Sequence, residues 1–258
     1  MRRIMLTVAY DGTNYNGFAY QVGIKSVEGI LNNAIYGLTG EKVAVIGASR
    51  TDAGVHAYGN IAVFDTESKI PDTKFTPALN RLLPDDIKIM NSREVNVAFH
   101  PRHCSSKKTY EYRIWNGDII PPTNRFYYYP CSYKLDVQKM EEAAQYLVGE
   151  HDFTSFCNVE SQALTKIRTI YEIEVIRENN TVTIKVVGGG FLYNMVRIIA
   201  GTLLLVGRGK KTPEEVREML EACDRKKAGP TAPPQGLFLI GYDFLEPELL
   251  SCIDTSED

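Results

Sequence analysis

The sequence predicts an α+β fold made of two ferredoxin-like (RRM-like) βαββαβ halves, with mainly antiparallel sheets flanking a central cleft. Two observations carry this expectation. The order strand, helix, strand, strand, helix, strand can be read twice along the 258 residues, and no long Gly/Ser linker separates the two series, so the sheets are expected side by side. The halves are placed at 1–105 and 106–245, with an acidic tail at 246–258.

In the first half the opening apolar run ends at Asp11 and reads as a strand, with no small-residue cleavage site that would mark a secretory leader. Val27, Ile30, Leu31, Ala34, Ile35 and Leu38 then recur at i, i+3, i+4, i+7, i+8 and i+11, the period of an amphipathic helix, with Ser26 placed to cap it. Val43 to Ser49 and Asn60 to Glu67 are short β-rich runs. Phe75 to Leu83 is apolar at helical spacing before Pro84, and a strand follows over Ile87 to Met90.

The second series starts at Thr109 to Trp115, where Tyr110, Tyr112 and Ile114 alternate with Glu111 and Arg113, the period of a half-buried strand. Asp136 caps a helix carrying Val137, Met140, Ala144, Leu147 and Val148. Thr169 to Arg177 and Thr181 to Val187 form a hairpin turning at Asn179 and Asn180. A long helix runs from Phe191 to Val206, an extra one is marked by the capping box Thr212, Pro213 and Glu215, and the final strand is Leu237 to Phe244.

Composition excludes several classes of function. With 44% hydrophobic and 24% charged residues the chain is an ordinary globular one, and its richest apolar stretch, Phe191 to Val206, holds Asn194 and Arg197, so no membrane span is expected. Five scattered cysteines without a C-x-x-C pair fit reduced thiols and a cytoplasmic location. His100, His103 and Cys104 lie too close together for a zinc site, and no metal is expected.

The net charge of −3 argues against nucleic acid at first sight, but five of the acids fall in the last 13 residues, and removing them takes −3 to +2. The positive charge is grouped: Arg102, Lys107, Lys108 and Arg113; Arg208, Lys210 and Lys211; Arg225, Lys226 and Lys227. Such groups are either solvated faces or phosphate contacts, so charge permits an RNA partner without requiring one.

The segment from Gly47 to His56 carries more polar chemistry than a short connection needs, and Asp52 is its reactive candidate, against the alternative of an Asx-type turn. Arg197 lies among Leu192, Met195, Val196, Ile198 and Ile199, so it needs a carboxylate or phosphate, or else snorkels to solvent. Asp52, in a glycine-flexed loop, is the natural partner, and a guanidinium would keep its carboxylate ionised and aimed. Tyr110 is either a core ring or a platform for an unpaired base beside Lys107 and Lys108. Gly188, Gly189 and Gly190 lead into the Arg197 helix and suggest a weak anion site or a packing turn.

These residues resemble the tRNA pseudouridine synthase A family. The strongest match is Arg50-Thr-Asp-Ala-Gly-Val-His56. In the same order come Tyr10-Asp-Gly-Thr13, Lys108-Thr-Tyr-Glu-Tyr112, Gly149-Glu-His-Asp-Phe153, Gly190-Phe-Leu-Tyr-Asn-Met-Val-Arg197 and Ala228-Gly-Pro-Thr-Ala-Pro233. Ser49 departs from the family's usual glycine, and Ala19 from its usual polar residue.

The resemblance implies the pseudouridine synthase fold and a cofactor-free isomerase that converts uridine to pseudouridine at positions 38, 39 and 40 of the tRNA anticodon stem-loop, acting as a homodimer without DNA or membrane partners. It assigns Asp52 as the catalytic aspartate, Arg197 as its basic partner, Tyr110 as the active-site tyrosine and Arg50 as an arginine that helps displace the target base; the last role rests on the resemblance alone. The uridine would have to leave the stack to be reached. Asp52 could attack base or sugar carbon, or remove a sugar proton. A rival reading, a non-catalytic RNA-binding protein of two RRM-like halves, has no use for an ionised Asp52 and would call for an aromatic RNP motif that is absent. An aspartate phosphotransferase would need further carboxylates to hold magnesium.

Overall fold

A computed structural model describes residues 1–245 and 250; the acidic-tail expectation for 246–258 therefore falls almost entirely outside the described residues. The chain divides into two units, Met1–Ser106 together with the residues from Leu239 onward, and Lys107–Phe238.

In the first unit β1 (Arg2–Tyr10), α1 (Val27–Thr39), β2 (Ile46–Gly47), β3 (His56–Thr66), α2 (Phe75–Leu79) and β4 (Ile87–Val95) follow one another in the expected βαββαβ order. The strand order is β4-β1-β3-β10, where β10 is Leu237–Phe244, and β2 pairs with β3. Most of β10 thus goes with the first unit, whereas the sequence reading put it in the second half; its place beside β3 is the reason.

The antiparallel β1–β3 register sets Ile4 opposite Phe64 and Met5 opposite Val63, so alternate residues serve two buried layers. Ile4, Leu6 and Val8 are fully buried. On the other layer Met5 joins Ile61, Val63, Val95 and Phe99. Ser26 caps α1 as expected, its hydroxyl accepting from Gly29 N at 3.3 Å.

Two elements are shorter than their sequence pattern. Val45 N donates to Asn32 Oδ1 at 3.0 Å, which leaves β2 with two residues. Helix α2 stops at Leu79: Asn80 still donates its backbone N–H to the Thr76 carbonyl at 3.2 Å, and its side-chain amide exchanges two 2.8 Å hydrogen bonds with the main chain of Ile89, anchoring the end of the helix on β4.

In the second unit β5 (Ser106–Trp115), β6 (Tyr129–Pro130), α3 (Val137–Gln145), β7 (Gly149–Asp152), β8 (Ile167–Glu178), β9 (Thr181–Gly188), α4 (Met195–Gly207) and α5 (Pro213–Glu221) form a sheet in the order β5-β9-β8-β7 with helices packed on it. The β8–β9 hairpin turns at Asn179, whose φ of 53° is the left-handed value expected there. The capping box of Thr212 and Glu215 is formed at α5.

Helix α4 begins four residues later than its apolar pattern. Asn194 takes φ 62° and ψ 8°, a left-handed conformation that cannot continue a helix backwards, so Phe191 to Asn194 form a turn and Arg197 becomes the third helical residue. The glycine run therefore does not feed directly into the helix. No helix among the described residues is long and apolar enough to cross a membrane.

Candidate active site

In the first unit the Asp52 loop joins β2 to β3 and is fixed by buried polar side chains on both sides of Asp52. Asn60, fully buried within β3, donates from Nδ2 to the carbonyl of Ser49 at 3.0 Å and to Tyr10 Oη at 3.2 Å, and its Oδ1 accepts from Ser49 N at 3.3 Å. Tyr10 Oη lies 2.7 Å from Thr51 Oγ1. The Tyr242 hydroxyl is 2.6 Å from Ser49 Oγ and 3.0 Å from Asn60 Oδ1. Every member of this network has partners, which is the condition under which buried polar groups add rigidity.

The loop's other wall is main chain. Phe18 N donates to the Thr51 carbonyl at 3.1 Å, Gly54 N to the Tyr15 carbonyl at 3.2 Å, and Val55 N closes the turn on the Asp52 carbonyl at 3.2 Å. Gly17 has φ 86°, and a Cβ there would come within 2.5 Å of the Thr51 carbonyl oxygen. Only glycine lets this strand of backbone approach so closely. Asp52 is half-buried and Arg50 exposed on the same loop.

In the second unit Tyr110 faces Val186 across β5 and β9, is 8% exposed, and meets Phe191 edge-on with centroids 5.2 Å apart. It is thus largely buried, as the core reading expected, but lies at the turn that leads into α4. Tyr112, two residues along, is fully buried and donates to the Pro233 carbonyl at 2.9 Å. Burial pushes its phenol well above the ordinary range; Tyr129 adds to this and the positive charge of Arg197 opposes it.

Arg197 is half-buried. Its Nε donates to the Ala232 carbonyl at 2.8 Å and its Nη1 to Asn194 Oδ1 at 2.9 Å. These two acceptors fix the plane and direction of the guanidinium. The segment from Ala228 to Pro233 acts as a strap across α4. Gly229 N donates to Thr202 Oγ1 at 2.9 Å, and a Cβ on Gly201 would reach 1.8 Å from the Pro230 carbonyl oxygen.

The structure therefore sets Asp52 and Arg50 on one loop of the first unit, and Tyr110 and Arg197 around the Phe191 turn of the second. Sequence reasoning missed the supports: Asn60, Tyr242 and Thr51 under Asp52, and Asn194 and Ala232 beside Arg197. An asparagine inside an apolar strand was a signal for Asn60; nothing local marks Tyr242, 182 residues away from it.

Part of the grouped positive charge is used internally. Arg113 pairs with Glu111 at 2.7 Å and Lys211 with Glu215 at 2.8 Å, while Arg208 lies over the Tyr133 ring. Lys107 sits 5.0 Å from the centre of the Tyr171 ring. Among the described residues no cluster of three His, Cys, Asp or Glu side chains is disposed to hold a metal ion.

A family described as tRNA pseudouridine synthase matches residues 6–103 and 143–244, which include the Asp52 loop and the Arg197 helix. Proteins named tRNA pseudouridine synthase A are similar over nearly the whole chain. That of Acetivibrio thermocellus is 48% identical over 240 residues, covering 93% of this chain and 98% of its own. That of Anoxybacillus flavithermus is 47% identical over 246 residues, covering 94% and 100%. With a family match over most of the chain and this degree of likeness, the chain belongs to the tRNA pseudouridine synthase family.

Proposed function

We propose that this protein isomerises uridine to pseudouridine in tRNA, at positions 38, 39 and 40 of the anticodon stem-loop, and that it works as a cytoplasmic homodimer. The observation that carries this reading is the Asp52 loop, a carboxylate-bearing turn locked by a buried hydrogen-bond network yet itself only half-buried.

The reaction breaks the N1–C1′ bond, turns the base and forms a C5–C1′ bond; C5 gives up a proton and N1 takes one. Atoms balance within the nucleotide, so the residues must supply only orientation, charge and proton transfer. Asp52 is the reacting carboxylate, whether it attacks the base, attacks C1′ or removes a sugar proton; all three need it ionised. Arg197, already aimed by Ala232 and Asn194, holds that charge. Tyr110 lies against the flipped base, and Arg50, exposed beside Asp52, fills the gap left in the stack.

The test is release of tritium from tRNA labelled at uridine C5, with the altered positions mapped on the same RNA. Release by the wild-type protein at the three positions, and none by Asp52→Asn, is the expected result. Tight tRNA binding without any release by the wild type would overturn the reading in favour of a non-catalytic RNA-binding protein.

A further inference from the structure

Two arginines of the second unit stand outside the machinery described so far. Arg168, near the start of β8, is half-buried and donates from Nη1 to the carbonyls of Thr165 and Ile167 at 3.1 and 2.5 Å. Arg225, before the strap, is half-buried as well and donates to the Gly229 carbonyl at 2.9 Å and Thr231 Oγ1 at 3.2 Å. All these acceptors are neutral, and among the described residues neither arginine has a carboxylate within ion-pair distance.

The nearby acids are engaged elsewhere. Asp152 accepts from Thr154 N and Oγ1, and Asp224 accepts from Lys226 N. Asp224, just before Arg225, donates from its N to Ser155 Oγ at 2.8 Å, which ties the Arg225 segment to the one that carries Cys157. Burial holds both guanidiniums below their ordinary range, with the Cys157 thiol opposing it in each case. Desolvated positive charge without a counter-charge is costly to maintain, and an incoming anion would offset that cost.

Their position bears on which anion. Arg168 Nε lies 3.9 Å from where a Gly190 side chain would begin, at the turn that leads through Tyr193 to Arg197. Asn158, next to Cys157, donates to the Tyr193 carbonyl at 3.0 Å and ties the Cys157 segment to that turn. Arg225 holds the strap whose Ala232 orients Arg197. Both cations therefore belong to the surroundings of the Arg197 helix start, and the exposed Lys226 and Lys227 adjoin Arg225.

We propose that Arg168 and Arg225 form a receptor for one backbone phosphodiester of the tRNA, close to the nucleotide being isomerised. This deepens the proposed function and rests on it for the identity of the RNA. The paired cations grip the chain where it must part from its stack, so they position RNA and carry no base preference.

The test measures affinity for a tRNA anticodon stem-loop as a function of salt, for wild type, Arg168→Gln, Arg225→Gln and the double variant. Each single change is expected to weaken binding about 5- to 20-fold near 0.1 M salt and to lower the slope of log affinity against log salt by about 1. A scan of single neutral methylphosphonate linkages is then expected to find one position that weakens wild type and leaves the double variant indifferent. Because Arg225 also supports the strap, Arg225→Lys is included; it should recover most of the salt slope.

A double variant with wild-type affinity and slope, or a scan in which every neutral linkage affects wild type and double variant alike, overturns the proposal. Tritium release by the wild type, assayed on the same preparations, keeps that outcome distinct from failure of the isomerase reading.

Discussion

Arg197 and Ala232 hold each other twice: the Ala232 amide donates to the Arg197 carbonyl at 3.0 Å, and Arg197 Nε donates back to the Ala232 carbonyl at 2.8 Å. The main chain of helix α4 and the side chain that emerges from it are thus tied to the same residue of the strap. Asn194 adds a third tie through its Oδ1, and does so from a left-handed backbone that a non-glycine residue adopts only at some cost. The guanidinium is consequently oriented before any substrate arrives.

Arg197→Lys keeps the charge and loses the planar fork that serves Ala232 and Asn194 together. Turnover is expected to fall by about 100-fold or more while tRNA affinity changes less than about 3-fold, the pattern of a group acting in the transition state. Arg197→Met should cost more, and, if Arg197 holds the Asp52 carboxylate, the acid limb of its pH–rate profile should move up by about one pH unit or more. A profile matching wild type, with normal turnover, would show that Arg197 serves another group.

The strap's closeness to α4 makes a separate prediction. A methyl added by Gly201→Ala would meet the Pro230 carbonyl at 1.8 Å, a contact that the backbone must relieve by moving. Overpacking of this kind costs about 1–3 kcal/mol. The urea midpoint should fall accordingly, and turnover should fall with it because Ala232 moves along with Pro230. An unchanged midpoint would mean that the strap yields without resistance.

The ion pair of Arg3 with Asp65 predicts how stability responds to acid. Two 2.7 Å hydrogen bonds join them, and the Arg3 guanidinium holds the Asp65 carboxyl below its ordinary value against the opposing effect of burial. A lowered folded-state value means stability that is present above the unfolded carboxyl's range and is lost as pH falls through the folded value. The stability difference between wild type and Asp65→Asn should be about 1 kcal/mol, modest because the pair is partly exposed. It should stay flat from neutral pH down to about 5 and shrink below that. Denaturant titrations over that range check it; a difference that grows as the pH falls would contradict the assignment.

What could be read from the sequence depended on whether the deciding interactions are local. Helix α1 and its Ser26 cap, the Asn179 turn and the Thr212 capping box were legible because each is decided within a few residues. The late start of α4 was not, because Asn194 takes an unfavourable backbone conformation in order to serve Arg197, and apolar periodicity carries no sign of that. The short β2 likewise depends on Asn32, one helix earlier. Asp52 stood out by the chemistry of its loop, but its supports on Tyr10, Asn60 and Tyr242 come from three strands and become neighbours only through sheet order.

Gly17 and Gly23 allow loop position to be separated from backbone strain. Both have positive φ, 86° and 75°, so alanine at either pays a similar conformational penalty of about 1 kcal/mol. They differ in surroundings: a Cβ at Gly23 meets nothing within 4 Å, whereas at Gly17 it lies 2.5 Å from the Thr51 carbonyl and 3.2 Å from the Asp52 carbonyl carbon. Gly17→Ala must therefore push the main chain that carries Asp52, and a displacement of about 1 Å at a reacting group can cost about 100-fold in rate. The expectation is that Gly23→Ala loses only the conformational penalty in urea and retains turnover within about 3-fold, and that Gly17→Ala loses a further overpacking cost of about 1–3 kcal/mol and at least about 30-fold in turnover, with tRNA affinity little changed. Equal turnover in the two variants would show that the Asp52 loop tolerates the shift, and that the buried network beneath it does not set the position of the carboxylate.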